Sequence, residues 1–565
     1  MSVAPDIFGG ALDGLSPGFL MVIAGLLATL LPRAARPYIA VAAPLLALVH
    51  LLALPTGPGG TFEMLGVTVT TFDITQPGFA IAVSFLAAAT IAGVFSWHER
   101  AGLPVAAGLV YAGCATGAVL AGDLPSFFIF FEIASVAAAF LIWTGGTSRS
   151  LGAGMRFAVA NILAGVLLLE AFLLTYKVTE SITFFTADLA TSAGVYLIIA
   201  LGIKAAFPVL HAWLTDAYPE STPGGTVWLS VFGVTTAVYA VMRFLPGEQL
   251  LTYVGPVMIA FPVLLALLAN DLRRTLCYGL ISQVGLAVTA IGIGTPEALA
   301  AATTLAVANV FGFLLMFMAI GAVLFRTGTA SAADLGGLAR QMPWTTLFAV
   351  IGGLSVAGLP ILAGGTAIPA LLTSIWASSG PYVAALALFG VAGVWAHAGL
   401  RVPAAAFFGE RANDKPVEEA PLHMRLAMTI AVFGCLAIGS LPYWDNVPMD
   451  PAGLILHMQA LAFSLLVFAA ARAWGLLPKD EPSALIDVDW LYRRLGPGIV
   501  GAVMTITSTA YAGWQNFVSA RLRGAFEGMS SAAGPQTNVA TTWGTGIGVL
   551  WVAILLVVML IVSYM

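Results

Sequence analysis

The chain has 565 residues, of which 60% are hydrophobic and 9% charged, and its mean hydropathy is +0.97. A soluble domain carries about 25% charged residues, so this composition excludes a soluble globular protein and leaves a polytopic membrane protein. A formal net charge of −5 argues against a nucleic-acid partner.

Hydropathy predicts an all-α polytopic fold of about sixteen transmembrane helices. In chain order the first eight cover residues 16–32, 37–55, 78–96, 103–121, 124–144, 156–176, 192–214 and 227–246. The next eight cover 253–270, 276–294, 299–325, 345–375, 383–407, 425–442, 455–475 and 543–564. MSVAPDIFGG at the N-terminus lacks the basic stretch of a cleavable signal. Of the 22 Lys and Arg residues, 19 fall on one side of this map, Lys177 and Arg243 on the other, and Lys204 inside. The positive-inside rule then puts the richer side in the cytoplasm, with both termini outside the inner (cytoplasmic) membrane.

The spans group into an N-terminal set (1–102), two five-helix repeats (103–246 and 253–408), two further spans (409–476), a polar lateral segment (477–542) and a final span (543–565). The fourth span of each repeat is broken. Pro208 interrupts 200–214, and two prolines with three glycines interrupt AGLPILAGGTAIPALL, 357–372. Matched interruptions are the sequence mark of inverted-repeat transporters; the alternative is a proline kink in each. His211 is expected one helical turn beyond Pro208. The segment GAVMTITSTAYAGWQNFVSARLRGAFEGM is too polar to span. It is expected to lie as an amphipathic helix on the cytoplasmic face, Trp514 and Phe517 down and Arg521 and Arg523 up; the alternative is a linker.

Two charges lie deep in apolar spans: Lys204 in GVYLIIALGIKAAFPVLHAWL and Glu132 in LPSFFIFFEIASVAAAFLIW. A charge at the bilayer centre costs about 3 kcal/mol or more on insertion scales, so both are candidates for ion or proton traffic. Cys114, Cys277 and Cys435 fit no metal, haem or disulfide spacing, and no cofactor motif is present.

Three stretches carry a family resemblance. Residues 201–243, LGIKAAFPVLHAWLTDAYPESTPGGTVWLSVFGVTTAVYAVMR, hold Lys204, His211, Trp213, Leu214, Asp216, Ala217, Tyr239 and Arg243 at matching positions. NDLRRTLCYGLISQVG (270–285) and DLPSFFIFFEIASVAAAFLIW (123–143) match two more motifs. Across about residues 100–410 the chain resembles the proton-conducting subunits shared by respiratory complex I and Mrp-type cation/proton antiporters. DAYPE and IDVDWLYRR lean toward the D-type component of the Mrp antiporters. The resemblance implies that Glu132 and Lys204 form the coupling pair. His211 is expected on the proton path from its own position; the alternative is that it caps the broken backbone. The alternative for the pair is a static ion pair joining two helices.

The family's remaining relay positions are changed. Thr235 stands where the resemblance implies a second lysine, Leu305, Asn309 and Phe313 where it implies a histidine pair and a lysine, and Ile368 where it implies a lysine or glutamate. Thr235, Ser282, Gln283 and Asn309 can hold waters but store no charge near neutral pH. Among other polar residues, Asp216 and Glu220 suit a cytoplasmic mouth or helix caps. Asp271, Arg273 and Arg274 suit a fixed cytoplasmic turn. Glu170 suits an outer mouth or an interfacial anchor, and Arg401, near His397, suits a snorkelling arginine.

The reading that results is a membrane subunit of a multisubunit monovalent cation/proton antiporter. Its expected partners are sister antiporter-like and other membrane subunits, with protons and a monovalent cation as cargo. The alternatives are a non-conducting structural paralogue in such a complex, or a membrane subunit of a complex I-like or inorganic-carbon-uptake assembly whose chemistry lies in a partner.

Overall fold

A computed structural model describes residues 14–64, 66–409, 416–440, 451–476, 487–532 and 545–564. Arg411, Lys415 and Lys479 of the basic side, and the opening (477–486) and end (533–542) of the lateral segment, lie outside the described residues. Within them, thirteen helical stretches are long and apolar enough to cross a membrane, and three shorter apolar helices accompany them, against the sixteen expected. The chain falls into two units, residues 1–487 and 488–565.

The first unit opens with α1 (Pro17–Leu30) and α2 (Arg36–Ala53). An unexpected hairpin follows, β1 (Gly57–Met64) and β2 (Val67–Ile74), antiparallel with Thr61 opposite Thr70. The all-α expectation fails at this one place among the described residues. VTVTTFDI alternates β-branched and polar residues, which is a strand pattern. Asp123 fastens the hairpin: one carboxylate oxygen accepts from Thr70 N at 2.6 Å, the other from Ser126 N at 2.8 Å.

Then come α3 (Gln76–Phe95), α4 (Gly102–Leu120), α5 (Leu124–Trp143), α6 (Ser148–Thr179) and α7 (Ser192–Lys204). Asp123, Thr147 and Thr191 cap the last three by accepting from a backbone N–H three residues on. The short α8 (Ala212–Ala217), α9 (Pro223–Leu229) and α10 (Phe232–Phe244) complete this stretch. Next are α11 (Leu251–Leu268), α12 (Leu272–Ile293), α13 (Pro296–Thr327), α14 (Pro343–Ala357), α15 (Gly364–Ser378) and α16 (Gly380–Val394). A π-helical turn, Trp395–Arg401, joins α16 to α17 (Val402–Phe407). α18 (Leu422–Ser440) and α19 (Pro451–Ala473) close the unit. The core sits around α12 and α13; α13 packs on α3, α12, α14, α15 and α18.

The two interruptions are alike residue by residue. α7 ends with Ala206 at φ 59°, Ala206 N–H donating to Ile203 O and Phe207 N–H to Gly202 O. α14 ends with Gly358 at φ 82°, Gly358 N–H donating to Ser355 O and Leu359 N–H to Leu354 O. Both are Schellman ends, which satisfy the last carbonyls of a helix without water. Each is followed by a proline and then a β-branched residue in the left-handed region, Val209 at φ 71° and Ile361 at φ 77°. Leu210 N–H donates to Phe207 O and Leu362 N–H to Leu359 O, closing two turns of the type II pattern. His211 accordingly stands past the interruption, at the start of α8, and not one helical turn beyond Pro208.

The second unit consists of α20 (Asp489–Ala532) and α21 (Thr545–Tyr564). α20 has 44 residues and is about 66 Å long. Trp514 and Phe517 stack at 6.2 Å, and Arg521 lies over the Phe517 ring at 5.3 Å. Arg521 therefore shares the aromatic stripe, where the opposite face was expected. Four residues separate it from Phe517, so the two point the same way.

Candidate functional site

α5 and α7 bring the two deep charges together. Lys204 ends α7 and is 5% exposed. Its Nζ donates to Glu132 Oε1 at 2.8 Å and to Ser135 Oγ at 2.6 Å, and lies 4.7 Å from the centre of the Phe131 ring. Glu132 and Ser135 share one face of α5, three residues apart. Gly165 of α6 faces the carboxylate: a β-carbon there would sit 2.2 Å from Glu132 Oε2. Beside the ammonium is a cavity of about 20 Å³ whose walls include Tyr111, Ser135, Asn161, Tyr218 and Thr236. That is room for about one water. An ammonium, a carboxylate, hydroxyls and a water-sized space can hold one proton and pass it on.

His211 meets a partner that sequence reasoning missed. Its Nε2 donates to Asp487 Oδ1 at 3.1 Å, and the Tyr278 hydroxyl donates to Asp487 Oδ2 at 2.5 Å. All three residues are buried. The His211 ring lies against Phe261 at 4.6 Å, so it touches α11 and, through Asp487, α12. Its Nδ1 has no protein partner among the described residues. No local pattern announces a contact across 276 residues; an acid ahead of WLYRR was the only signal.

The remaining expected site residues separate. Thr236, not Thr235, lines the Lys204 cavity, although both are buried. Ser282 Oγ donates to Ile259 O at 3.1 Å and Gln283 Nε2 to Val356 O at 2.9 Å. Asn309 is buried on α13. The structure places none of Thr235, Ser282, Gln283 or Asn309 on the Lys204 cavity.

Several alternatives resolve toward structure. Asp216 is buried and takes Arg156 Nε at 2.6 Å. Asp271 caps α12, while Arg273 donates to Ser221 O and Arg274 to Thr215 O. Arg401 does not snorkel. It is buried and donates to Ala266 O and Ala269 O at the C-terminal end of α11, where the helix dipole favours a cation. Glu170 is exposed on α6, and Glu220 sits in a short 3₁₀ turn, Tyr218–Glu220. The cysteines are free and buried.

Between α3 and α4 lies an acid that sequence reading passed over. Burial pushes the Glu99 carboxyl up from 4.5 to about 7, against the pull of the Thr222 hydroxyl, which donates to it at 3.1 Å. The unfolded chain ionises near pH 4.5 while the folded one stays neutral to about 7. Stability therefore falls as pH rises through that window and is level above it. Glu99→Gln should abolish this fall, so melting curves of the two proteins should coincide near pH 4 and diverge, with the variant higher, by pH 7. Parallel curves across the window would show that Glu99 is not held neutral.

Comparison with known proteins agrees with this architecture. Residues 121–393 match the family described as NADH:quinone oxidoreductase/Mrp antiporter, transmembrane. The chain is 30% identical over 295 residues to the D component of the Na(+)/H(+) antiporter of Alkalihalophilus pseudofirmus, covering 48% of this chain and 59% of that one. It spans between half and two thirds of the length of the curated relatives first matched. The fold matches a chain of the Mrp complex from Dietzia with a TM-score of 0.75 at 22% identity, covering 91% of this chain and 63% of that one. It also matches a chain of the membrane-bound sulfane sulfur reductase, an archaeal respiratory membrane complex, with a TM-score of 0.70 at 22% identity, covering 97% and 100%. Over residues 121–393, then, this multi-pass membrane protein is similar to the NADH:quinone oxidoreductase/Mrp antiporter transmembrane family.

Proposed function

We propose that the chain is a membrane subunit of a multisubunit monovalent cation/proton antiporter and that protons pass through the Glu132–Lys204 pair. The observation that carries this is the contact itself: the buried Lys204 ammonium meets Glu132 at 2.8 Å, beside a water-sized cavity. With the carboxylate in contact the ammonium is paired. With the contact broken, a buried lone charge is costly and the proton leaves. A pair that opens and closes can therefore load and release one proton. His211, bonded to Asp487, is the next station, where the first helices meet α11 and α12. The complex sits in the inner membrane with the arginine-rich face in the cytoplasm, and sister membrane subunits are its partners.

One observation favours a second reading, a non-conducting structural paralogue. Leu305, Phe313 and Ile368, at positions where the family resemblance implies titratable groups, are all fully buried apolar side chains. The test is a mild-detergent purification of the tagged chain, identification of what co-purifies, and reconstitution of the whole assembly into vesicles holding a pH dye. Small antiporter subunits together with proton movement on adding Na⁺ or K⁺ are the expected result. Recovery of a redox module or a soluble zinc protein, with no cation-driven proton movement, would overturn the antiporter reading.

A further inference from the structure

Two histidines in the second half of the first unit are wholly buried, and neither belongs to the pair above. His397 lies in the π-helical turn and His457 on α19; both are 0% exposed. Both ring nitrogens of His397 lack a protein hydrogen-bond partner among the described residues, as does Nδ1 of His457. His457 Nε2 is 3.0 Å from Gly358 O, a group that only accepts, so Nε2 carries the hydrogen and Nδ1 presents a lone pair. A buried polar atom without a partner is costly, and in an apolar membrane core three such nitrogens call for water or a function.

Their positions are specific. A β-carbon built on Gly279 of α12 would lie 3.1 Å from His397 Cε1 and 3.4 Å from the Phe313 ring. One built on Gly358 would lie 2.8 Å from Ile368 Cδ1 and 3.0 Å from His457 Nε2. Each histidine therefore stands beside one of the apolar side chains that interrupt the relay. α14 joins the two places. Its Gly353 packs on Gly399, two residues beyond His397, and Gly358, just past its C-terminal end, reaches His457. The five steps from Gly353 to Gly358 span about 7.5 Å along a helix. Between them lie Ser355 and Val356, and Val356 O accepts from Gln283, whose Oε1 also lacks a protein partner among the described residues. Around His397, its own segment brings Arg401, held by carbonyls of α11, and α12 brings Tyr278 next to Gly279. α19 brings His457.

We infer that His397 and His457 are proton-carrying residues of the second half, reached from helices other than those bearing Phe313 and Ile368, and linked by water along α14 between Gly353 and Gly358. This rests on the proposed proton function. Each imidazole takes a proton on a free ring nitrogen and gives it to the next water, so no bond other than N–H and O–H is made or broken.

The test uses the whole assembly in dye-loaded vesicles, with Lys204→Met as the control. His397→Asn and His457→Asn keep a polar group but do not titrate. Each should lower cation-driven proton flux roughly tenfold or more while the same partners co-purify. Ile368→His added to His457→Asn should restore part of the flux, which a packing role for His457 would not allow. Full flux in the double Asn variant, with Lys204→Met inactive, overturns this inference and leaves the proposed function standing. Full flux in Lys204→Met overturns both. Where an Asn variant does not assemble, ¹⁵N-histidine spectra of the unmodified assembly decide. The ring N–H protons of both residues should exchange with deuterated water, and rings whose N–H protons stay protected overturn the inference.

Discussion

Replacing Lys204 with Met should bring cation-driven proton flux down to the level of empty vesicles, a loss of roughly a hundredfold or more. Methionine matches the length of the lysine stem but carries no proton, so the cavity by Tyr111 and Asn161 keeps its walls and loses its charge. Glu132 is then left without its counter-charge. Removing one partner of a buried pair costs about 3–5 kcal/mol; Glu132 is 23% exposed, so the cost here is expected toward the lower end. The double variant Glu132→Gln with Lys204→Met removes both charges and should recover most of that stability. Flux should stay absent. That split separates the two readings of the pair, because a purely structural ion pair predicts that activity returns together with stability. Measuring the melting temperature and the vesicle flux on the same three preparations settles it.

Gly165→Val should be nearly as damaging without touching a charge. A β-carbon at that position would lie 2.2 Å from Glu132 Oε2, 2.6 Å from the carboxyl carbon and 3.1 Å from Oε1. Two of the three distances are below any real contact, so the carboxyl must rotate off its place against Lys204. Valine adds two methyl groups to that conflict. Flux should fall roughly tenfold to a hundredfold. Gly165→Ala should give a smaller loss of the same kind, since the carboxylate is the free end of a flexible side chain. The expected signature is a graded series, Gly above Ala above Val, at constant assembly. A flat series would mean that the Glu132 carboxylate adapts and that its 2.8 Å contact is not required.

The pair was legible because its signal is local and chemical: one lysine and one glutamate inside apolar runs are conspicuous whatever the fold. Ser135 was equally within reach, three residues after Glu132 on the same helix face, and was passed over. The β1–β2 hairpin was readable from the alternation in VTVTTFDI, which hydropathy windows sized for membrane helices smooth away. Asp487 and the surroundings of His397 and His457 were not legible. Each depends on which distant helices pack together, such as α14 and α19, both against the π-helical turn. A position-by-position comparison asks whether a charge stands at a given place in the chain. It does not ask whether another helix delivers one to the same point in space.

The paired Schellman ends and type II turns also settle how the interrupted helices can behave. A proline kink is a bend in a helix whose residues all share one backbone basin, and it can straighten by small adjustments. Ala206 and Val209 stand on the far side of φ = 0, as do Gly358 and Ile361. To continue α7 into α8, both Ala206 and Val209 would have to pass through the sterically forbidden region that separates the right-handed from the left-handed basin. Their neighbours would meanwhile break hydrogen bonds in a medium that offers few replacements. The interruption is therefore a latch and not a spring. Lys204 owes its fixed place at the end of α7 to a helix that has no low-barrier way of growing longer.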